Sequence, residues 1–433
     1  GLYSSNGTLT CEDLPASLGN ERLDAKTIAS WGCEFFKYDF CHHNRISGDC
    51  PAIEHIVITK PKSAFEIDLR PEDAEFTGTS KIIKMSDVPS KKAIGFISHG
   101  SGSASFNFDA DEKGEYVLTF VFHKSMAKKK QYMQIHINGK MYEIFFPETK
   151  GFSPLGRQQI IVELKEGTNN MTIKNPVATA IDSSYIQYKR MGNALKEASS
   201  MWAKVTHSEE KPITYSICEW GMARPYLWGA KAGSMWRTTP DIAPNWRSIT
   251  MIYNRTLKLY KHSGPGHWND PDMLEVGNGK LDDNENRAHF SLWCMLAAPL
   301  MLGNDIRSFV SNGMPDKDNE TLKIVTNKHM IAVDQDSLGK SAKRIKKESG
   351  IDIIARPLSN GDVALCLFNT ASSTKSVNFK LDDLTKDPYL GIEEAPSGYE
   401  LHDLWTDERT TGTTINATIP KHSTVVYRVK PTI

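Results

Sequence analysis

The chain has 433 residues, more than one compact domain usually holds, and 39% apolar with 24% charged residues is an ordinary globular composition. Lys+Arg and Asp+Glu both total 52, so no net field draws nucleic acid or an anionic membrane, and a neutral partner such as a sugar fits best. No apolar run approaches the ~20 residues that span a bilayer.

In chain order, the opening Gly1-Leu2-Tyr3 carries neither an initiator Met nor a leader pattern, so sequence upstream of it is expected. Ala25, Ile28 and Ala29 at i, i+3, i+4 predict a helix that stops at Gly32, and Glu34–Asp39 follows as a strand. From about Ile53 to Tyr188 the texture changes to short alternating runs, among them Tyr116–Phe120 and Gln134–Ile137. Turn residues such as Asn138-Gly139 separate them, which predicts an all-β sandwich. Helices and strands alternate again from Met191: a helix to about Ala203, strands over Ile213–Ile217 and Arg237–Asp241, a helix near Trp246–Tyr260, and a helix–strand passage through Ala288–Leu302. Beyond about Lys340 the pattern returns to short strands. The resulting division is 1–52 and 189–340 for a parallel β/α domain, 53–188 for an inserted β-sandwich, and 341–433 for a closing β-sandwich.

Seven cysteines, at 11, 33, 41, 50, 218, 294 and 366, leave at least one unpaired, and Cys33 and Cys294 sit in apolar surroundings that suit free core thiols. Asn-X-Ser/Thr sequons begin at Asn6, Asn170, Asn254, Asn319 and Asn416.

Three segments place polar residues at the C-terminal ends of strands: Lys37-Tyr38-Asp39, Cys218-Glu219-Trp220-Gly221 and Trp236–Ile242, which contains Arg237 and Asp241. In a β/α barrel that edge carries the catalytic groups. Retaining glycosidases need two carboxyls ~5–5.5 Å apart, which two Asp residues ending different strands can supply. Lys37 lies on the same strand face as Asp39, where its charge complements the carboxylate. Ion pairs that merely tie strand ends together would use the same residues, and spacing alone leaves the two readings even. In His267–Leu274, Asp270 and Asp272 have the chemistry of catalytic carboxylates or metal ligands, but Asp-Pro-Asp in a Gly-rich stretch more often braces a loop, and that is the expectation here. The remaining histidines show no metal-ligand spacing, and no Cys-x-x-Cys or phosphate-cradling Gly motif occurs, so a metal or nucleotide enzyme is not expected.

These segments resemble glycoside hydrolase family 27, the α-galactosidases and α-N-acetylgalactosaminidases. The resemblance extends from Gly1–Ser4, Thr10-Cys11, Ser17–Gly19 and Trp31-Gly32 through the three strand ends to Gly264–Leu274, Ala298–Asp305 and Asp334–Gly339. It implies a (β/α)8 TIM barrel followed by a C-terminal antiparallel β-sandwich, and a retaining hydrolase for terminal α-linked galactose. By motif position, Asp39 is the nucleophile and Asp241 the acid/base, with no cofactor for catalysis. Lys37 and Arg237 bind sugar hydroxyls, Trp220 and Cys41 line the pocket, Tyr3 lies at its rim, and Cys11 pairs with Cys41. In this family Glu219 goes with galactose, and a smaller residue there admits an N-acetyl group. The disulfide and the family both imply a secreted or lysosome-like protein.

Two features depart from the family pattern. Gly233 stands where Cys218 would find its disulfide partner, so Cys218 is expected to be a free thiol. The chain also opens at the family's third strand, which predicts a barrel without its first two β/α units. The absent units carry an Asp pair for the outer sugar hydroxyls, so a β-L-arabinopyranosidase and a non-catalytic sugar-binding homologue stay open beside the α-galactosidase. The insert resembles a family 6/35-type carbohydrate-binding module through Pro71–Gly78, Gly114–Tyr116, Gly167–Asn170 and Ile181-Asp182. That resemblance implies a structural Ca2+ held by residues such as Glu72 and Asp182.

Overall fold

The computed structural model describes residues 1–123, 131–147, 155–395 and 397–432, and divides them into two compact units, 1–43 with 187–433, and 44–186.

In the first unit, five parallel strands lie side by side in chain order: β1 (Leu2–Ser5), β2 (Phe35–Asp39), β3 (Thr214–Ile217), β4 (Met235–Arg237) and β5 (Trp268–Asp270). Register places Ser5 opposite Asp39, Tyr38 opposite Ile217, Ile217 opposite Trp236, and Arg237 opposite Asp270. Because every strand runs the same way, their C-terminal ends share one edge. Helices occupy the crossovers. In α1 (Glu21–Ser30) the buried side chains are Glu21, Ala25, Ile28 and Ala29, and Gly32 at φ 69 ends it, its amide donating to the Ala29 carbonyl. α3 (Trp246–Thr256) starts at Asn245, whose side chain accepts the Ser248 amide, and α4 (Asp283–Met295) starts in a reciprocal Asp282/Glu285 capping box.

Two elements differ from expectation. α2 runs over Ala180–Thr206, beginning well before Met191. Thr179 and Asp182 form a capping box: the Thr179 amide donates to Asp182 at 2.8 Å and the Asp182 amide to the Thr179 hydroxyl at 3.4 Å. That cap extends the helix into a stretch whose composition reads as β. The other difference corrects the barrel. Six strands, the family's third to eighth, are predicted, but the passage through Ala298–Leu302 forms only an isolated parallel bridge between Leu274 and Leu302, after five regular strands. Pro299 brings no amide donor and Ala297 sits at φ 54, so the segment cannot sustain a ladder. Among the described residues the sheet is therefore open, with β1 as a free edge, rather than a closed barrel.

The closing sandwich pairs a six-stranded antiparallel sheet with a two-stranded one. Its central strands, Ile351–Pro357 and Val363–Asn369, are buried along their whole length. One face packs against α3, α4, α5 (Glu320–Val325) and α6 (Lys328–Asp334) in a core that includes Tyr253, Phe290, Trp293, Met330, Phe368 and Val426. A second cluster around Leu365, Leu367, Phe379 and Tyr399 fills the sandwich interior.

The second unit is a β-sandwich of a five-stranded and a six-stranded sheet, as the alternating runs predict. Asn138 at φ 50 and Gly139 at φ 84 make the tight turn between Gln131–Ile137 and Lys140–Phe146. Ile56, Phe106, Phe120, Ile135 and Phe146 meet in its interior. Truncation of Phe120, fully buried there, to alanine is expected to cost about 3–5 kcal/mol, measured as a shift in the denaturant midpoint of the purified protein.

Candidate active site

Asp39 ends β2 and is buried with both carboxylate oxygens fixed in direction. Oδ2 accepts the Tyr3 hydroxyl at 2.8 Å; Oδ1 accepts the Trp220 indole N–H at 3.1 Å and the Phe40 amide at 2.8 Å. The Tyr3 phenol is pushed well above its ordinary range by burial first and by this hydrogen bond second, so it remains a proton donor. Cys11 and Cys41 are joined in a disulfide with Cα atoms 5.1 Å apart, and the Tyr3 hydroxyl lies 3.2 Å from Cys11 Sγ.

The loop after β3 delivers Trp220. Its backbone takes φ 56, a costly value for a bulky residue, and Gly221 follows at φ 73. A Cβ at Gly221 would sit 2.2 Å from the Thr238 carbonyl oxygen, so this close approach to the end of β4 admits only glycine. Cys218, at the start of the loop, is a buried free thiol, as its missing partner predicts. It lies within hydrogen-bonding reach of Asp39 and 3.6 Å from Arg237 Nη1, and burial pushes its pKa well up.

Arg237, the last residue of β4, is buried and holds two carboxylates, Asp272 at 2.6 Å and Asp241 at 3.0 Å. The two partners differ. The Asp241 side chain is 74% exposed and faces solvent, whereas Asp272 is 5% exposed. Asp272 also accepts the Ile242 amide at 2.9 Å and the Met273 amide at 2.9 Å. It therefore clamps the loop that carries Asp241, the bracing role expected of Asp-Pro-Asp. Its partner Asp270 accepts the Asp272 amide at 2.8 Å and is raised by burial. Lys37 stands across from Tyr3 and Ser216 in the sheet register, and its charge acts on Cys218 and Asp270.

The residue ranges 1–55 and 178–336 match the family described as Alpha galactosidase A, and 348–429 match the Alpha galactosidase C-terminal beta sandwich domain. The chain belongs to the alpha-galactosidase family. Among curated relatives, the alpha-galactosidase of Cyamopsis tetragonoloba is 36% identical over 253 residues, covering 57% of this chain and 58% of that one. Alpha-galactosidase A of Cellvibrio japonicus is 35% identical over 256 residues, covering 54% and 60%. The chain thus spans about half the length of the curated relatives it matches. Likeness of fold extends to alpha-galactosidase I of Mortierella vinacea (TM-score 0.60, 22% identity, 99% of this chain and 76% of that chain). It extends equally to the Saccharomyces cerevisiae enzyme (TM-score 0.59, 20% identity, 99% and 79%).

Within this member of the family, Asp39, Tyr3, Trp220, Cys41 and Cys218 come together in one contact network, and Arg237 links it to Asp241. Glu219 and Arg237 are placed differently from what a sugar contact needs: both are buried. Glu219 Oε1 accepts the Ala223 amide and turns the loop back, while Oε2 is buried without a hydrogen-bond partner. Burial raises its pKa from 4.5 to about 8. The carboxylates predicted for Ca2+ are also already engaged: Glu72 pairs with Lys92 at 2.5 Å, and Asp182 caps α2. Among the described residues neither belongs to a cluster of three or more metal-ligating side chains. The residue that sequence reading undervalued is Asp272, whose partnership with Arg237 has no local signature beyond the polar density of its segment.

Because the folded state holds the Glu219 proton more tightly than the unfolded chain does, its contribution is complete below about pH 4.5 and is lost as pH rises through about 8. Glu219→Gln removes this linkage. Its stability should fall less than that of the parent between those pH values, by up to about 5 kcal/mol, read from urea midpoints across the range. Asp272→Ala leaves Arg237 buried with one exposed counter-ion and should destabilise the fold by about 3–5 kcal/mol, checked by the same denaturation measurement.

Proposed function

We propose that the protein is a retaining α-galactosidase that removes terminal α-linked galactose from oligosaccharides, polysaccharides or glycoconjugates. The observation that carries this reading is the Asp39 carboxylate, held by Tyr3 and Trp220 at the end of a strand, with the solvent-facing Asp241 anchored by Arg237 beside it in the contact network. The names of the relatives support the same substrate.

In the first step a carboxylate oxygen of Asp39 attacks the anomeric carbon, the glycosidic C–O bond breaks, and the departing oxygen takes the proton from the Asp241 carboxyl. In the second, Asp241 takes a proton from water, and the resulting hydroxide displaces Asp39 and releases galactose with its configuration retained. The Tyr3 hydroxyl and the indole N–H hold Asp39 in one orientation throughout, which lowers the entropic cost of attack. Lys37 is the cation available to sugar hydroxyls. Arg237 and Glu219, being buried, act by shaping the loops that carry Asp241 and Trp220. The Cys11–Cys41 disulfide fits an oxidising, secreted or lysosome-like setting. The inserted sandwich fits a carbohydrate-binding role that raises the effective concentration of clustered substrate.

The test is covalent labelling. An activated fluorosugar of the galactose series should label Asp39, and Asp39→Asn should abolish turnover. Asp241→Ala should slow natural α-galactosides about 10²–10⁴-fold while sparing aryl substrates with good leaving groups. Azide should then trap a β-galactosyl azide. Sugar binding without turnover by a folded chain would favour a non-catalytic sugar-binding protein, and labelling at another residue would refute the assignment of Asp39.

A further inference from the structure

Away from this site, two imidazoles and a carboxylate converge in the same unit. His329 lies in the first turn of α6, His402 in the strand Tyr399–Asp403, and Asp407 in the turn that follows, at φ 63. Asp407 Oδ1 is 2.6 Å from His402 Nε2 and 3.4 Å from His329 Nε2. All three ligand atoms lie within 4.8 Å of one another. An ion bonded at ~2.0–2.2 Å to each of three donors sets those donors about 3–3.5 Å apart, so the cluster needs only small side-chain movements to enclose one.

The backbone around it is fixed. Asn327 Oδ1 accepts the His329 and Met330 amides, and its Nδ2 donates to the Leu404 carbonyl at 3.0 Å, so one side chain positions both elements. Asp403 accepts the Trp405 amide at 2.8 Å and the Thr406 amide at 3.1 Å, and its carbonyl accepts the Asp407 amide at 3.0 Å. Neighbouring charges are already matched: Arg409 with Glu400 at 2.7 Å and Arg428 with Asp362 at 2.5 Å. His329 and His402 border a cavity of about 300 Å³, which has room for the water molecules that complete a coordination shell. Two imidazole nitrogens with one carboxylate suit borderline first-row ions far better than Ca2+ or Mg2+.

We propose that His329, His402 and Asp407 bind a divalent transition ion of the Zn2+ class, which clamps α6 to the turn after the strand Tyr399–Asp403. The full chain, stripped with a chelator, is titrated with Co2+ by visible absorption and with Zn2+ by calorimetry. One saturable equivalent is expected, together with a rise in the thermal midpoint on adding Zn2+. Asp407→Asn keeps an acceptor for His402 on an exposed side chain, so it should fold normally. It and His329→Gln should each weaken binding more than about tenfold and remove the thermal shift, whereas Cys33→Ser should change neither. Absence of stoichiometric binding, or unchanged affinity in the folded Asp407→Asn/His329→Gln double variant, would overturn the site.

Discussion

A guanidinium taken out of water is tolerated only when its charge is met nearby, and Arg237 is almost completely buried at the end of a strand. Its charge is met by Asp272, also buried, and by Asp241, exposed. That asymmetry organises the edge of the sheet. Asp272 spends its oxygens on Arg237 and on the amides of Ile242 and Met273, so the loop after β4 has one path open to it. Asp241 is left tethered at one oxygen with its remaining surface in solvent, the position from which a carboxyl can exchange protons with a bound ligand.

The same edge separates its acidic groups by environment. Glu219 lies in the interior, where burial favours the protonated form, and its role is to turn the chain after β3. That turn brings Trp220 into the left-handed region and aims its indole at Asp39. Cys218, a neutral buried thiol, fills the space between Asp39 and Arg237 without adding charge. Strain at Trp220 and the glycine required at Gly221 are therefore local costs that orient the carboxylate.

The inserted sandwich has its own closed hydrophobic interior, and the chain leaves and rejoins the first unit on either side of it. The closing sandwich differs, since it shares a continuous core with α3 and α4. Removing a large side chain such as Trp293 or Phe368 from that core would be felt by both the β/α part and the sandwich.

Sequence alone determined the elements whose signals are local. The helix over Glu21–Ser30 announces itself by Ala25, Ile28 and Ala29 and by Gly32, the hairpin at Asn138-Gly139 by its turn residues, and the change from β/α to alternating texture by period. Asp39 and Asp241 were legible as candidates because strand-end motifs are contiguous in the chain. The tertiary structure decided what depends on partners far apart in sequence. It paired Arg237 with Asp272, and it drew Glu219 inward, where a motif placed it at the sugar. It reduced the Ala298–Leu302 strand to a single bridge, and it brought His329 together with His402 and Asp407. Periodicity and capping are written in neighbours a few residues apart, whereas burial and charge pairing are set by whichever distant segment the packed fold brings alongside.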